Sequence, residues 1–163
     1  MITDRPKRLT GVSYVGLQRY AVTFCTAFRK PIFDNHTVGK DTASQFLQAA
    51  RDLQFDLVAY CLMPDHVHLL ASSQSEAGDL IPFVKHLKQI TGYRYRQSTG
   101  QKLWQPGYHD RILRDEEATL TVARYILENP VRAGQAKALG EWPLAGSSVY
   151  TWPELLTAWE QQT

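Results

Sequence analysis

With 163 residues, 44% of them hydrophobic and 21% charged, the chain has the size and balance of one ordinary globular domain with its own core. No apolar run approaches the roughly 20 residues that span a bilayer. The opening Met-Ile-Thr-Asp-Arg-Pro-Lys-Arg-Leu lacks the apolar stretch of a signal peptide, so no membrane partner is expected. A net charge of +2 is too small to identify a polyanionic partner by itself.

The first element predicted is a strand over residues 20–28 (YAVTFCTAF), rich in β-branched and aromatic residues. Apolar residues at helical spacing over 41–53 predict a helix, with Asp41 or Thr42 as its cap. Residues 55–62 (FDLVAYCL) and 66–72 (HVHLLAS) read as two strands joined by a tight Pro64-Asp65 turn. A helix follows over 79–97, with Gly92 and the Tyr93/Tyr95 pair leaving its end open. Residues 108–114 (YHDRILR) form a short fourth strand. Residues 115–128 predict a helix whose first turn is acidic, in keeping with the helix dipole, and which Pro130 ends. Residues 152–161 predict a terminal helix packed through Trp152 and Trp159.

The order β-α-β-β-α-β followed by a further helix predicts an α+β, ferredoxin-like antiparallel sheet with helices on one side. The whole chain is expected to be one domain, with its core over about residues 14–134 and an extension over 135–163. Cys25 and Cys61 each lie in an apolar run and read as reduced core residues of a cytosolic protein.

Three groups of residues carry candidate chemistry. On a strand, His66 and His68 project from one face while Val67 points to the other, so two imidazoles can share a metal ion. The bland alternative is a pair of histidines that hydrogen-bond at a sheet surface. On a helix, Tyr125 and Asn129 lie one turn apart on one face. They read as a nucleophile and a hard amide ligand for Mg²⁺ or Mn²⁺, or as a packing tyrosine and a helix cap. Lys85, Lys88, Arg94, Arg96 and Lys102 crowd one stretch, as a phosphate track or as a solvated helix face.

These motifs resemble those of the REP-associated tyrosine transposases, members of the single-tyrosine branch of the HUH nucleases. The resemblance lies in Met63-Pro64-Asp65-His66-Val67-His68-Leu69-Leu70, in residues 103–114 with Trp104-Gln105 and Leu113-Arg114, and in Tyr125-Ile126-Leu127-Glu128-Asn129-Pro130-Val131-Arg132-Ala133-Gly134. It runs from about Tyr20 to Ser148; the chain before and after matches nothing usable.

The resemblance implies Tyr125 as nucleophile and His66, His68 and Asn129 as ligands of a divalent metal, Mg²⁺ or Mn²⁺. Asn129 in the Asn-Pro-Val-Arg-Ala-Gly run points to the REP-associated branch. The implied activity is metal-dependent nicking and strand transfer on single-stranded DNA hairpins through a 5′-phosphotyrosine. The implied host setting is the bacterial cytoplasm and nucleoid. Lys85, Lys88, Arg94, Arg96 and Arg111 would then supply a backbone track, and Trp104, Tyr93 and Tyr95 would stack bases. Other readings are a non-catalytic hairpin DNA- or RNA-binding module of the same fold, and a metal-dependent hydrolase with no covalent intermediate. Monomer and homodimer both remain open.

Overall fold

The computed structural model describes residues 13–114 and 118–162. Ten named α and β elements follow in order: β1 Arg19–Cys25, α1 His36–Asp52, β2 Phe55–Met63, β3 His66–Ser73, α2 Leu80–Thr99, β4 His109–Ile112, α3 Thr119–Leu127, α4 Asn129–Arg132, β5 Ala145–Gly146 and α5 Trp152–Glu160. Two short 3-10 turns, Ala27–Arg29 and Ile32–Asp34, join β1 to α1.

The five strands form one antiparallel sheet in the order β4-β1-β3-β2-β5. The first four strands have the ferredoxin-like arrangement expected from the element order, and β5 extends the sheet beyond β2. Strand alternation sorts the side chains. Tyr20, Val22 and Phe24 are buried on one face of β1, and Arg19, Ala21, Thr23 and Cys25 lie on the other. The first face is covered by α1 and α2: Phe24 meets Phe46 of α1, and Phe83 of α2 stacks on Phe55 with ring centroids 4.1 Å apart. Segment α3 packs against β2 and β3 and carries α5 on its flank. There Trp159 donates its indole N–H to the Leu120 carbonyl at 2.9 Å.

Several expected boundaries move. Helix α1 starts at His36, five residues before Asp41, because Asn35 accepts from the Thr37 and Val38 amides. Its early Gly39 has a packing reason: a Cβ there would lie 2.5 Å from Leu144 Cδ1. Strand β1 stops at Cys25, because Phe28 and Arg29 take left-handed φ values of 56° and 54°. Helix α2 runs two residues beyond 97, to Thr99, and ends at Gly100 with φ 73°. The fourth strand is shorter than expected, at His109–Ile112. The acidic first turn expected at residues 115–117 lies outside the described residues.

The tail is tied to the core by Trp142, whose indole N–H donates to the Leu62 carbonyl at 2.9 Å. Thr151 and Glu154 form a capping box on α5, whose Trp159 is buried. Cys25 and Cys61 are free thiols. They pair with His66 and His68 from opposite sides of β3. Two strand spacings of about 4.8 Å exceed the roughly 7 Å that a disulfide can bridge. Among the described residues no helix is long and apolar enough to cross a membrane.

Candidate active site

The two histidines sit where the sheet alternation places them. His68 lies opposite Thr23 on β1 and Cys61 on β2, and His66 lies opposite Cys25 and Met63. Both therefore project from the face opposite α1 and α2. Their rings are 4.9 Å apart at the centroids and nearly perpendicular, at 86°.

Each ring is fixed from behind through Nδ1. His66 Nδ1 lies 2.7 Å from Asp65 Oδ1, and His68 Nδ1 lies 3.0 Å from Thr23 Oγ1. With Nδ1–H donated to these oxygens, both Nε2 atoms keep their lone pairs for a ligand. Burial raises the Asp65 carboxyl, but its hydrogen bond with His66 and the nearby Arg29 guanidinium more than offset this. The carboxyl is thus held below its usual range and stays ionised behind His66. Burial first, then coulombic coupling to His66 and to the Arg132 guanidinium, push His68 down to about 4, so its imidazole is neutral at physiological pH. Cys61 beside it is no ready ligand: burial pushes its thiol up to about 12, against a smaller opposing pull from Arg132.

Tyr125 lies near the end of α3 and is 65% exposed. That exposure removes the packing-residue alternative. Its ring is clamped by Arg132, whose guanidinium carbon lies 4.1 Å from the ring centroid. Arg132 also donates to the Tyr125 carbonyl and pairs with Glu128 at 3.4 Å. Glu128 in turn holds Arg124 at 2.8 Å. Helix α3 packs against β2 and β3 and α4 packs against β2, and the Arg132 charge acts on both His68 and Cys61.

Asn129 opens α4, half-buried, with Nδ2 donating to the Ile126 carbonyl at 3.0 Å. That bond turns the amide so that Oδ1 is the end left for a ligand. Among the described residues no group of three or more His, Cys, Asp or Glu side chains could hold a metal. Two imidazoles and an amide oxygen are donors of the type that a divalent cation takes.

The expected DNA-binding residues divide. Trp104 is a correction: only 5% exposed, it donates its indole N–H to Thr91 Oγ1 at 2.9 Å and packs between Phe24 and Phe46. Its ring faces are committed to the core. Lys88 is likewise engaged, donating to the Gln105 and Gly107 carbonyls at 2.9 and 2.6 Å. Arg94 pairs with Asp41 at 3.2 Å. Tyr95 is half-buried against the core. Lys85, Tyr93, Arg96 and Lys102 line one open groove of about 490 Å³ between α2 and the loop before β4, with Lys88 and Trp104 also in its wall. Its lining contains four cations and no carboxylate. Arg111 is exposed on β4, on the histidine face, opposite Ala21.

The model of the family described as "Transposase IS200 like" matches residues 14–129. That span holds His66, His68, Tyr125 and Asn129 and most of the chain. The chain belongs to this family.

Among curated relatives of this transposase family, a Haemophilus influenzae protein named for the REP-associated tyrosine transposases is 27% identical over 114 residues. The match covers 61% of this chain and 63% of that protein. The REP-associated tyrosine transposase of Escherichia coli K12 is 24% identical over 100 residues, covering 61% of this chain and 58% of that protein. The chain thus spans about three fifths of the length of the curated relatives it matches. A solved REP-associated tyrosine transposase bound to a REP hairpin superposes with TM-score 0.68 at 18% identity, covering 85% of this chain and 82% of that one. A Deinococcus radiodurans R1 protein described as a transposase gives TM-score 0.51 at 24% identity, covering 80% and 100%. These comparisons bear out the resemblance to REP-associated tyrosine transposases and the fold.

Sequence reasoning missed four residues of this candidate site. Asp65 had a signal, standing immediately before the first histidine. Arg132 stands in the Asn-Pro-Val-Arg run, about two helical turns after Tyr125. Thr23 comes from a strand 45 positions away, and Arg29 reaches Asp65 from 36 positions away. Neither had a local signal.

Proposed function

We propose that this chain nicks and joins single-stranded DNA beside hairpins, with Tyr125 as the nucleophile. One observation carries the reading. An exposed tyrosine held under a guanidinium lies on a helix that packs against β2 and β3, and β3 carries two histidines whose Nδ1 atoms are engaged.

A tyrosine hydroxyl titrates near 10, so only about 0.1% is phenolate at neutral pH and attack on a phosphodiester needs help. His66 Nε2, His68 Nε2 and Asn129 Oδ1 are the atoms that would hold Mg²⁺ or Mn²⁺, which when bound supplies Lewis-acid polarisation of the phosphate and charge neutralisation. The chain's own residues do the rest. Arg132 fixes the Tyr125 ring and brings a positive charge to the side where the phosphate must lie. Asp65 and Thr23 hold the imidazoles against rotation.

In the cleavage step Tyr125 Oη bonds to phosphorus and releases its proton to solvent. The P–O3′ bond breaks, and the 3′-oxygen takes a proton. The products are a 5′-phosphotyrosine and a free 3′-hydroxyl. Joining is the reverse: another 3′-hydroxyl attacks the phosphotyrosine, so no external energy source is needed.

Substrate is held away from the chemistry as well. The Lys85, Arg96 and Lys102 groove, with Tyr93 exposed in it, suits a nucleic-acid backbone and one stacked base. Arg111 serves the histidine face. Mass spectrometry of protein incubated with hairpin DNA and Mn²⁺ tests the assignment. The tryptic peptide containing Tyr125 should carry a nucleotide mass; modification at another tyrosine, or none, would remove Tyr125 from its role.

A further inference from the structure

The turn that follows β1 holds an aromatic ring that the fold does not use. Phe28 is 85% exposed, the most exposed of the large hydrophobic side chains among the described residues. Its backbone lies at φ 56°, ψ 21°, and Arg29 follows at φ 54°. Non-glycine residues disfavour this left-handed region, and a bulky aromatic more than most. Glycine or asparagine would meet the backbone requirement with less strain.

The conformation is imposed by its surroundings. The Ala27 amide donates to the Leu103 carbonyl at 2.8 Å, and Arg29 N and Lys30 N close the turn onto Thr26 and Ala27. Thr26 Oγ1 donates to the Lys30 carbonyl at 2.7 Å and lies 3.0 Å from the Asp65 carbonyl. Strain that neighbours over-determine is characteristic of ligand-contacting segments.

The turn also adjoins the histidines. Arg29 Nε lies 3.0 Å from Asp65 Oδ2, and the other oxygen of that carboxylate is the one at His66 Nδ1. Arg29 Nη1 reaches Cys25 Sγ, and Cys25 is the strand partner of His66. Two cations, Arg29 and Lys30, follow Phe28 directly, with Lys30 Nζ 5.9 Å from the Phe28 ring centroid. The carboxylate facing this turn is Asp65, already engaged. An exposed ring beside cations next to a phosphate-handling site has the chemistry that receives an unpaired base.

We infer that Phe28 is a stacking platform for the unpaired base adjoining the scissile phosphate, an inference that rests on the nicking activity proposed above. The ring sets which nucleotide lies over His66 and His68, while Arg29 and Lys30 hold the backbone on either side. Phe28 is thus a substrate-positioning residue, separate from the groove along α2.

An abasic scan tests this. The probes are labelled hairpin oligonucleotides from palindromic repeats flanking the gene, with single-stranded flanks and one abasic site moved through each position. Binding is read with Mg²⁺ in a Tyr125→Phe background, so that cleavage does not intrude. With Phe28 present, an abasic site at one flanking position should weaken binding by about 5- to 150-fold, the usual worth of one stacked base. Phe28→Asn keeps the left-handed turn and removes the ring; it should bind intact and abasic probes equally at that position. Phe28→Tyr should restore the difference. A profile unchanged by Phe28→Asn, or no sensitive position at all, overturns the inference. The unsubstituted chain is tested in parallel for a covalent adduct. An adduct with a flat abasic profile sinks only the Phe28 role, and absence of both adduct and binding sinks the nicking reading and this inference together.

Discussion

Asp65→Ala separates the carboxylate's two jobs. One oxygen meets Arg29 at 3.0 Å, and the other meets His66 Nδ1 at 2.7 Å. The Arg29 pair is mostly solvated, with side-chain exposures of 56% and 28%. Such pairs contribute about 0–1 kcal/mol. The Asp65 carbonyl, which accepts from the Thr26 amide at 2.9 Å, survives any substitution. The fold should therefore lose no more than about 1 kcal/mol. The His66 bond is different, because it sets the tautomer that presents Nε2. Loss of a carboxylate behind a metal-binding histidine costs about 10- to 100-fold in metal affinity, or roughly 1.4–2.7 kcal/mol. Titration calorimetry with Mn²⁺ and a thermal melt measure the two effects on one preparation. The expected result is a metal dissociation constant raised by that factor with a nearly unchanged Tm. An unchanged dissociation constant would refute the claim that Asp65 prepares His66 for a metal. A collapse of Tm would show that the carboxylate is structural.

Other expectations follow from the same contacts. Trp104→Ala should destabilise the fold by about 3–5 kcal/mol, since it empties a site packed by Phe24 and Phe46 and leaves the Thr91 hydroxyl oxygen without its indole donor; urea unfolding measures it. His68 has a folded pKa near 4, below its usual 6.5, so the unfolded chain binds the extra proton. Metal-free stability should be full above about pH 6.5 and fall by an order of 3 kcal/mol as pH drops toward 4, and His68→Gln should flatten that fall in denaturant melts at stepped pH. Replacing Lys85, Arg96 and Lys102 together with Gln should reduce the slope of log affinity against log salt by about 2, at roughly 0.7 per phosphate contact. An unchanged slope would take DNA out of that groove.

The strands that build the site were legible because each carries its own signal. β2 and β3 are apolar runs closed by a Pro-Asp turn, and the His-Val-His alternation assigns both imidazoles to one face. α3 was legible around Tyr125, but Pro130, read as its stop, lies in the first turn of α4, after α3 has ended at Leu127. What sequence concealed was set by tertiary contact. The first turn of α1 is polar and contains Gly39, whose reason is Leu144, over a hundred residues away. The apolar run of β1 continues through Ala27-Phe28, but hydrogen bonds to the Leu103 and Asp65 carbonyls turn the chain and leave Phe28 in solvent. Trp104 and Lys88 have the residue types of a nucleic-acid surface, yet Thr91, Phe24 and two loop carbonyls claim them. Thr23 lines up behind His68 only because β1 and β3 pair in that register.

A denaturing gel with hairpin DNA labelled at one end or the other, incubated with Mg²⁺, Mn²⁺ or EDTA, decides whether Tyr125 is the nucleophile. The expected result is a slow adduct that carries only the 3′ label, needs metal and vanishes in Tyr125→Phe while hairpin binding persists. Binding without an adduct across both metals and several repeats, or an adduct that survives Tyr125→Phe, would contradict it.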